Sequence, residues 1–170
     1  MVDGRRFSFP PGWLVSKYDE WDYYRTKFQA LANSKAVDLV AVEGASATHL
    51  IEVKDYTHPE SQPVPLDELP WTVAAKCRDT LAGLGAARTQ AQPPESTIAD
   101  AALKAASIRV VLHIELSTRR GGRLSNPRKT LADLQTALRL KLKAIDPHAT
   151  VQHDHTQNAS WSSRPEPPAP

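Results

Sequence analysis

The sequence from Lys35 to Lys54 reads KAVDLVAV at 35–42, EGASA at 43–47 and THLIEVK at 48–54. Both apolar runs are rich in β-branched residues, and the glycine-containing segment between them is typical of a turn. The pattern therefore predicts a β-hairpin. Because the two runs are apolar on both faces, we expect these strands to lie in the middle of a sheet that helices cover.

Three charged residues interrupt this hairpin. Glu52 and Lys54 are two positions apart, so both side chains project to one face of their strand. The hairpin can bring Asp38 level with Glu52, although the sequence does not fix the register. Carboxylates buried among valines and leucines are costly unless they are paired or bind a metal.

Two carboxylates and a backbone carbonyl offer an all-oxygen site that suits Mg²⁺ or Mn²⁺. An ammonium group beside such a metal, here that of Lys54, could orient a water molecule and neutralise charge that develops on a phosphate. These parts suit the hydrolysis of a phosphodiester. The alternative is a solvated strand end with an ordinary Glu–Lys arrangement.

The segments around the hairpin complete an α/β pattern with a mixed central sheet. A first helix is predicted from Ser16 to about Asn33, because Trp21, Tyr24, Phe28 and Leu31 recur at steps of three and four and because Ser16 and Asp19 resemble a capping box. The later predictions are a proline-rich loop at 57–70, helices at 71–89 and 97–105, a core strand at 108–116, a helix through Leu131, Leu134, Leu138 and Leu142, and a final strand at 148–153.

The hairpin, with AVDLVAV at 36–42 and LIEVKD at 50–55, resembles the PD-(D/E)XK superfamily of restriction-endonuclease-like nucleases. The order of elements from about residue 16 to 116 is similar as well. The resemblance implies a restriction-endonuclease-like core and metal-dependent cleavage of DNA or, less often, RNA. Two features depart from the pattern: Val37 replaces the proline, and no strand fits between Asn33 and Asp38, so that residues 7–15 supply it or it is missing.

By this resemblance, Asp38, Glu52 and the carbonyl of Val53 hold Mg²⁺ or Mn²⁺, and Lys54 serves the attacking water. An acidic residue of the first helix often joins the metal site. Glu20 lies nearer the apolar stripe than Asp19, so Glu20 is the candidate and Asp19 the helix cap. The resulting hypothesis is a DNA endonuclease, acting as a homodimer or with a partner protein that supplies recognition in a bacterial defence or repair system; the alternative is a non-catalytic nuclease-fold binding or scaffold subunit.

Length and composition limit the number of domains, the kinds of partner and the location that the protein can have. At 170 residues, the chain suits one domain, predicted at 1–153, with a disordered Pro/Ser-rich tail at 154–170. A formal net charge of +2 neither supports nor excludes a nucleic-acid partner. Cys77 is the single cysteine, which excludes an internal disulfide and fits a cytoplasmic location. We find no signal peptide and no apolar run of membrane-spanning length, so no membrane association is expected.

Several further features have open roles. The basic stretch 119–129 could bind phosphates or form a solvated loop. His113 and Glu115 share a strand face but are not assigned to the site, and His153 and His155 are a weak metal pair. Lys76 and Arg78 lie on the helix where several nucleases of this fold contact substrate, although a surface position is the commoner outcome. The tryptophans at 13, 21 and 71 are expected in the core, and Trp161 has no evident partner.

Overall fold

A computed structural model describes residues 2–57, 65–116, 127–156 and 160–165. The strands are β1 (Arg5–Ser8), β2 (Leu14–Lys17), β3 (Leu39–Glu43), β4 (Ala47–Asp55), β5 (Ser107–Glu115), β6 (Thr150–Gln152) and β7 (Ser162–Pro165), and the helices are α1 (Leu69–Gln90), α2 (Glu95–Lys104) and α3 (Pro127–Leu142). This order confirms the mixed α/β class and each helix and strand predicted after the hairpin, whereas residues 58–64 of the predicted proline-rich loop lie outside the described residues. Pro70 lies in the first turn of α1 and not in the predicted loop. Proline is tolerated there because N–H groups in the first turn of a helix have no partner within the helix.

The predicted hairpin forms the centre of a five-stranded mixed sheet with the strand order β2-β3-β4-β5-β6. β2, β3 and β4 run antiparallel, whereas β5 pairs with β4, and β6 with β5, in parallel. A three-residue loop joins β3 to β4, since Glu43 pairs with Ala47. Gly44 adopts a positive φ of 52° in that loop, a conformation that glycine tolerates at little cost.

The two faces of this sheet are covered differently. Leu50, Leu112 and Ile114 face a large core shared with helices α1, α2 and α3. Leu39, Ile51, Val53 and Val111 face a smaller aromatic cluster, which includes Phe7, Phe9, Trp13 and Trp161. Within the described ranges, helices therefore cover one face, and the β1–β7 pair with its aromatic residues covers the other. The expectation of helices around the hairpin holds for the first face only.

The predicted first helix is wrong in its start and its form. Residues 14–17 form β2, a short 3-10 helix follows at Tyr18–Glu20, and a π-helical turn spans Tyr24–Phe28. Ser16 and Lys17, which the pattern assigns to the helix, belong instead to β2, and its pairing with β3 gives their backbone groups partners in the sheet. Ser16 is consequently no cap: its hydroxyl accepts a hydrogen bond of 2.7 Å from the Trp21 indole N–H. The resemblance calls for a further strand before Asp38, with residues 7–15 as the candidate segment. β2 overlaps that segment and pairs with β3.

The prediction of a disordered tail at 154–170 is wrong for residues 160–165, while residues 157–159 and 166–170 lie outside the described residues. β7 pairs antiparallel with β1, and Trp161 is 7% exposed beside Phe9, Trp13 and His49. This aromatic contact supplies the partner that the sequence did not reveal for Trp161. The basic stretch is outside the described residues from 117 to 126, so its predicted role stays open.

The prediction that Trp71 lies in the core is wrong, because its side chain is 63% exposed. Lys141 Nζ lies 3.5 Å from the centre of its ring, a cation–π contact between α1 and α3. Trp21 is buried as predicted. No helix in the described ranges has the length and apolar character required to cross a bilayer.

Candidate active site

Two backbone N–H groups, those of Tyr18 and Val53, position Asp38. Its carbonyl accepts a hydrogen bond of 3.0 Å from the Tyr18 N–H, and its Oδ2 accepts one of 2.6 Å from the Val53 N–H. Because Leu39 pairs with Ile51, continuing the register by one residue sets Asp38 opposite Glu52 on the same face. The register that the sequence left open therefore brings both predicted acids together.

Glu52 and Lys54 project from β4 onto the face that carries the helices. The Glu52 side chain is 0% exposed, and its Oε1 lies 2.8 Å from Lys54 Nζ. Lys54 Nζ also lies 3.9 Å from Asp3 Oδ2, so the chain near the amino terminus adds an acid that the sequence did not indicate. The three predicted residues Asp38, Glu52 and Lys54 thus meet at one place, although their chemical roles stay predictions.

Lys76 of α1 completes the cluster. Its Nζ lies 2.7 Å from Glu52 Oε1, 2.8 Å from Glu52 Oε2 and 3.7 Å from Asp38 Oδ1. One ammonium group thereby joins the two carboxylates. Lys76 was noted in the sequence for its helix but not assigned, and its spacing of 24 residues from Glu52 gives no local signal. Arg78 points elsewhere, with its side chain 73% exposed and paired to Asp79.

An open cleft of about 500 Å³ reaches the cluster at Asp38 and Lys76. Arg25 and Lys35 also line this cleft, so its walls carry cations suited to phosphate oxygens. Asp19 lines it as well, whereas Glu20 is about half exposed and pairs with Lys17 at 2.8 Å. Asp19 of the 3-10 helix therefore lies at the cleft, whereas Glu20, the acid that the α-helical pattern indicates, does not line it.

Three acids near Asp38 have raised pKa values, and burial is the largest cause of each. Burial, followed by the charge of Asp38, raises the pKa of Glu52 to about 7 against the opposing effect of Lys76 and Lys54. Burial and the same carboxylate also raise the pKa of Asp19. The pKa of Asp3 is raised by burial first, with Lys54 opposing and Asp38 contributing. A cation placed among these groups would relieve their mutual repulsion.

The stability of the metal-free protein is expected to depend on pH through Glu52. Its ordinary pKa is 4.5 and its folded pKa is about 7, so between these values the folded protein holds a proton that the unfolded chain has released. The corresponding stabilisation is present below pH 4.5 and is lost as the pH rises through about 7. Urea unfolding in EDTA should show wild-type stability falling relative to Glu52→Gln over this range. Parallel pH profiles for the two proteins would contradict it.

His113 and Glu115 do not extend this cluster. In the β4–β5 pair, Val53 is level with His113 and Asp55 with Glu115, whereas Glu52 is level with Leu112. Side chains at paired positions share a face, so His113 and Glu115 project from the face opposite Glu52 and Lys54. The ring centres of His153 and His155 lie 6.2 Å apart, and His153 Nδ1 accepts a hydrogen bond of 3.2 Å from the His155 backbone N–H, so this nitrogen already has a partner.

Comparison with known proteins adds one relative. The chain is 33% identical over 168 residues to a cysteine–tRNA ligase of Neisseria meningitidis serogroup A. The alignment covers 81% of this chain but only 23% of that protein, so the chain corresponds to less than a quarter of the ligase. No protein-family model matches the sequence, and no solved structure matches the fold.

Proposed function

We propose that this protein is a divalent-metal-dependent phosphodiester hydrolase, acting on DNA as an endonuclease, with a restriction-endonuclease-like core. The observation that carries the proposal is the convergence of Asp38, Glu52 and Lys54 on one sheet face, beside a cleft that Asp38 and Lys76 line. Glu52 Oε1 lies 2.8 Å from Lys54 Nζ, and Lys76 Nζ joins Glu52 and Asp38 at 2.7 Å and 3.7 Å. An ordinary solvated Glu–Lys pair would not place a fully buried glutamate beside a second carboxylate.

The donor set fits Mg²⁺ or Mn²⁺. Asp38 Oδ1, the Glu52 carboxylate and the Val53 carbonyl are hard oxygen ligands, and Asp19 and Asp3 add nearby acidic groups. The raised pKa values of three of these acids mark a place where a cation is electrostatically favoured. A bound divalent ion would neutralise phosphate charge and lower the pKa of a water molecule.

The protein side chains have distinct tasks in this proposal. Lys54 holds an ammonium group beside Glu52, where it stabilises negative charge on a reacting phosphate. Arg25 and Lys35 bind phosphates along the cleft and orient the nucleic-acid strand. Lys76 balances the two acids in the metal-free protein and must move its Nζ away when a cation binds there. Sequence recognition would come from a second copy or a partner protein.

The test of this function is a cleavage assay with plasmid DNA, linear DNA, single-stranded DNA and RNA, each in Mg²⁺, Mn²⁺ or EDTA. We expect metal-dependent cleavage of DNA that falls about 100-fold or more in Glu52→Gln and in Lys54→Met, because the first removes a ligand of the metal and the second removes the ammonium group that stabilises charge on the reacting phosphate. Glu43→Gln and Lys104→Met, whose side chains are 44% and 65% exposed, serve as matched controls and should cleave like wild type.

Two results would contradict the proposal. One is the absence of cleavage of every nucleic acid in both metals by folded wild-type protein. The other is cleavage that survives equally in Glu52→Gln and Lys54→Met, since a contaminating nuclease would give that result.

A second candidate function is a non-catalytic binding subunit of a larger complex. The similarity to part of a cysteine–tRNA ligase favours it, because the aligned stretch belongs to a larger protein whose name gives tRNA as its substrate. In this case the cationic cleft would bind tRNA without cleaving it. Binding of labelled tRNA in EDTA that is weakened by Arg25→Met and unaffected by Glu52→Gln, with no cleavage in Mg²⁺, would support this candidate over the nuclease.

A further inference from the structure

A second group of ligating side chains lies on the sheet face opposite Glu52. His113 of β5 is 2% exposed, and three oxygen atoms surround its Nε2. Ser163 Oγ lies 3.2 Å from this nitrogen, Glu115 Oε1 lies at 3.4 Å, and Asp154 Oδ1 lies at 3.7 Å. The nitrogen and the two carboxylate oxygens all lie within 4.8 Å of one another.

Hydrogen bonds occupy only part of this group. The Ser163 hydroxyl donates to Asp154 Oδ1, and the Asp154 backbone N–H donates to Glu115 Oε1 at 2.6 Å, but a carboxylate oxygen has a further lone pair to offer. A neutral imidazole nitrogen carries either one proton or one lone pair, so it can serve only one of the three oxygen atoms well. In a catalytic Ser–His–Asp arrangement, the serine and the carboxylate contact different ring nitrogens. Here the oxygens of Ser163, Glu115 and Asp154 all approach Nε2, as ligands do around a shared centre.

Glu115 and Asp154 share little positive charge among the described residues. Arg5 NH2 contacts Asp154 Oδ2, but the same guanidinium pairs through NH1 with Asp55 Oδ2 at 2.8 Å. The side chains of Glu115 and Asp154 are 16% and 21% exposed, and both approach His113 Nε2. Partly buried carboxylates held this close together favour a cation between them.

Space and a further donor are present at the same place. A cavity of about 210 Å³ is lined by His113, Gln152, Asp154 and Ser163, among others. Gln152 Oε1 is buried in this wall and has no hydrogen-bond partner within the described ranges. A buried polar atom without a partner is costly unless water or an ion satisfies it. The cavity is large enough for an ion with bound water.

We propose that His113, Glu115 and Asp154 bind a divalent transition-metal ion, with Zn²⁺ the best match and Ser163 or a water molecule completing the site. One imidazole nitrogen and two carboxylate oxygens are ligands that Zn²⁺ accepts in tetrahedral geometry, whereas Mg²⁺ favours oxygen ligands alone. The ion would fasten β7 and the turn at 153–156 to the end of β5. This site is independent of the proposed nuclease centre.

The test is a titration of chelator-treated full-length Glu52→Gln protein with Zn²⁺ by calorimetry and with Co²⁺ by visible absorption. The Glu52→Gln substitution weakens binding at the proposed nuclease centre, and the Glu115 and His113 variants on this background report the second site whether or not the protein cleaves DNA. We expect one Zn²⁺ per chain, a Co²⁺ spectrum with nitrogen ligation and a Zn²⁺-dependent rise in Tm. Adding Glu115→Gln or His113→Gln should weaken Zn²⁺ binding by about tenfold or more, while His148→Gln on the same background should not.

Glu115→Gln keeps the test decisive if His113→Gln fails to fold, because the Glu115 side chain is 16% exposed and at the strand end. Absence of saturable Zn²⁺ binding by the folded Glu52→Gln protein would overturn the proposal. Equal Zn²⁺ affinity with and without Glu115→Gln would overturn it as well.

Discussion

Replacing Lys76 with methionine is expected to destabilise the metal-free protein by about 3 kcal/mol at pH 8, since truncating one partner leaves a buried charge uncompensated. The Lys76 ammonium group contacts both Glu52 oxygens and lies 3.7 Å from Asp38 Oδ1, and Glu52 has no exposed surface. Without it, the two carboxylates face each other and Lys54 alone opposes their repulsion. At pH 5, where Glu52 holds its proton, the loss should be smaller.

Added Mg²⁺ should reverse part of this loss. An ion bound between Asp38 and Glu52 no longer competes with an ammonium group in Lys76→Met, so its stabilising effect should exceed that in wild type. Urea unfolding at pH 5 and pH 8, with EDTA or with Mg²⁺, measures both effects. Arg78→Met, two positions along α1 with a 73% exposed side chain, is the matched control. Equal stability of Lys76→Met and Arg78→Met under all conditions would refute this account of Lys76.

Gly83→Ala is expected to destabilise the protein by about 3 kcal/mol, at the upper end of the usual cost of overpacking. A Cβ at this position of α1 would overlap the Tyr18 hydroxyl and lie 3.2 Å from Phe28 Cδ1. Tyr18 is 0% exposed, so its ring has little room to move. Since the Tyr18 N–H holds the Asp38 carbonyl, a displaced Tyr18 would also disturb the candidate site.

Gly85→Ala is the control within the same helix. A Cβ there meets nothing within 4 Å, so the substitution should stabilise the protein by about 0.5–1 kcal/mol through helix propensity. Tyr18→Phe removes the obstructing hydroxyl, which has no hydrogen-bond partner among the described residues. Thermal unfolding of the double variant should therefore show a much smaller penalty for Gly83→Ala. A penalty of the same size in both backgrounds would exclude the hydroxyl as its cause.

The elements that sequence predicted correctly are those with strong local patterns. The hairpin from Lys35 to Lys54 combines β-branched runs with a glycine turn, and both signals act over a few residues. α1 and β5 are likewise long enough for composition to indicate their type. The predicted convergence of Asp38 and Glu52 follows from the hairpin, because antiparallel pairing relates residues that are close in sequence.

The first helix failed because a tertiary interaction outweighed a local pattern. Trp21, Tyr24 and Phe28 are buried, as their spacing indicates, but Leu31 is 62% exposed. Pairing of β2 with β3 gives residues 14–17 backbone partners that no local pattern reveals. Helix propensity and periodicity are weak compared with such pairing. The preference for Glu20 over Asp19 as a metal ligand assumes an α-helix at these positions, where the structure has a 3-10 helix.

The unpredicted parts of the site come from residues far apart in the chain. Lys76 approaches Glu52 across 24 positions, and Asp3 approaches Lys54 through the arrangement of the amino-terminal segment. Trp161 and Ser163 lie in a Pro/Ser-rich segment whose composition indicates disorder. They are ordered because β7 pairs with β1, a contact between the two ends of the chain that composition does not encode.

Mg²⁺ binding at pH 8 decides whether Asp38 and Glu52 form a divalent-metal site. Calorimetric titration of chelator-treated wild type, Glu52→Gln and Glu43→Gln requires no knowledge of the substrate, and Mg²⁺ is selective for oxygen ligands. We predict saturable binding to wild type and Glu43→Gln that is at least about tenfold weaker in Glu52→Gln. Indistinguishable Mg²⁺ binding in all three folded proteins, or none in wild type, would contradict the account.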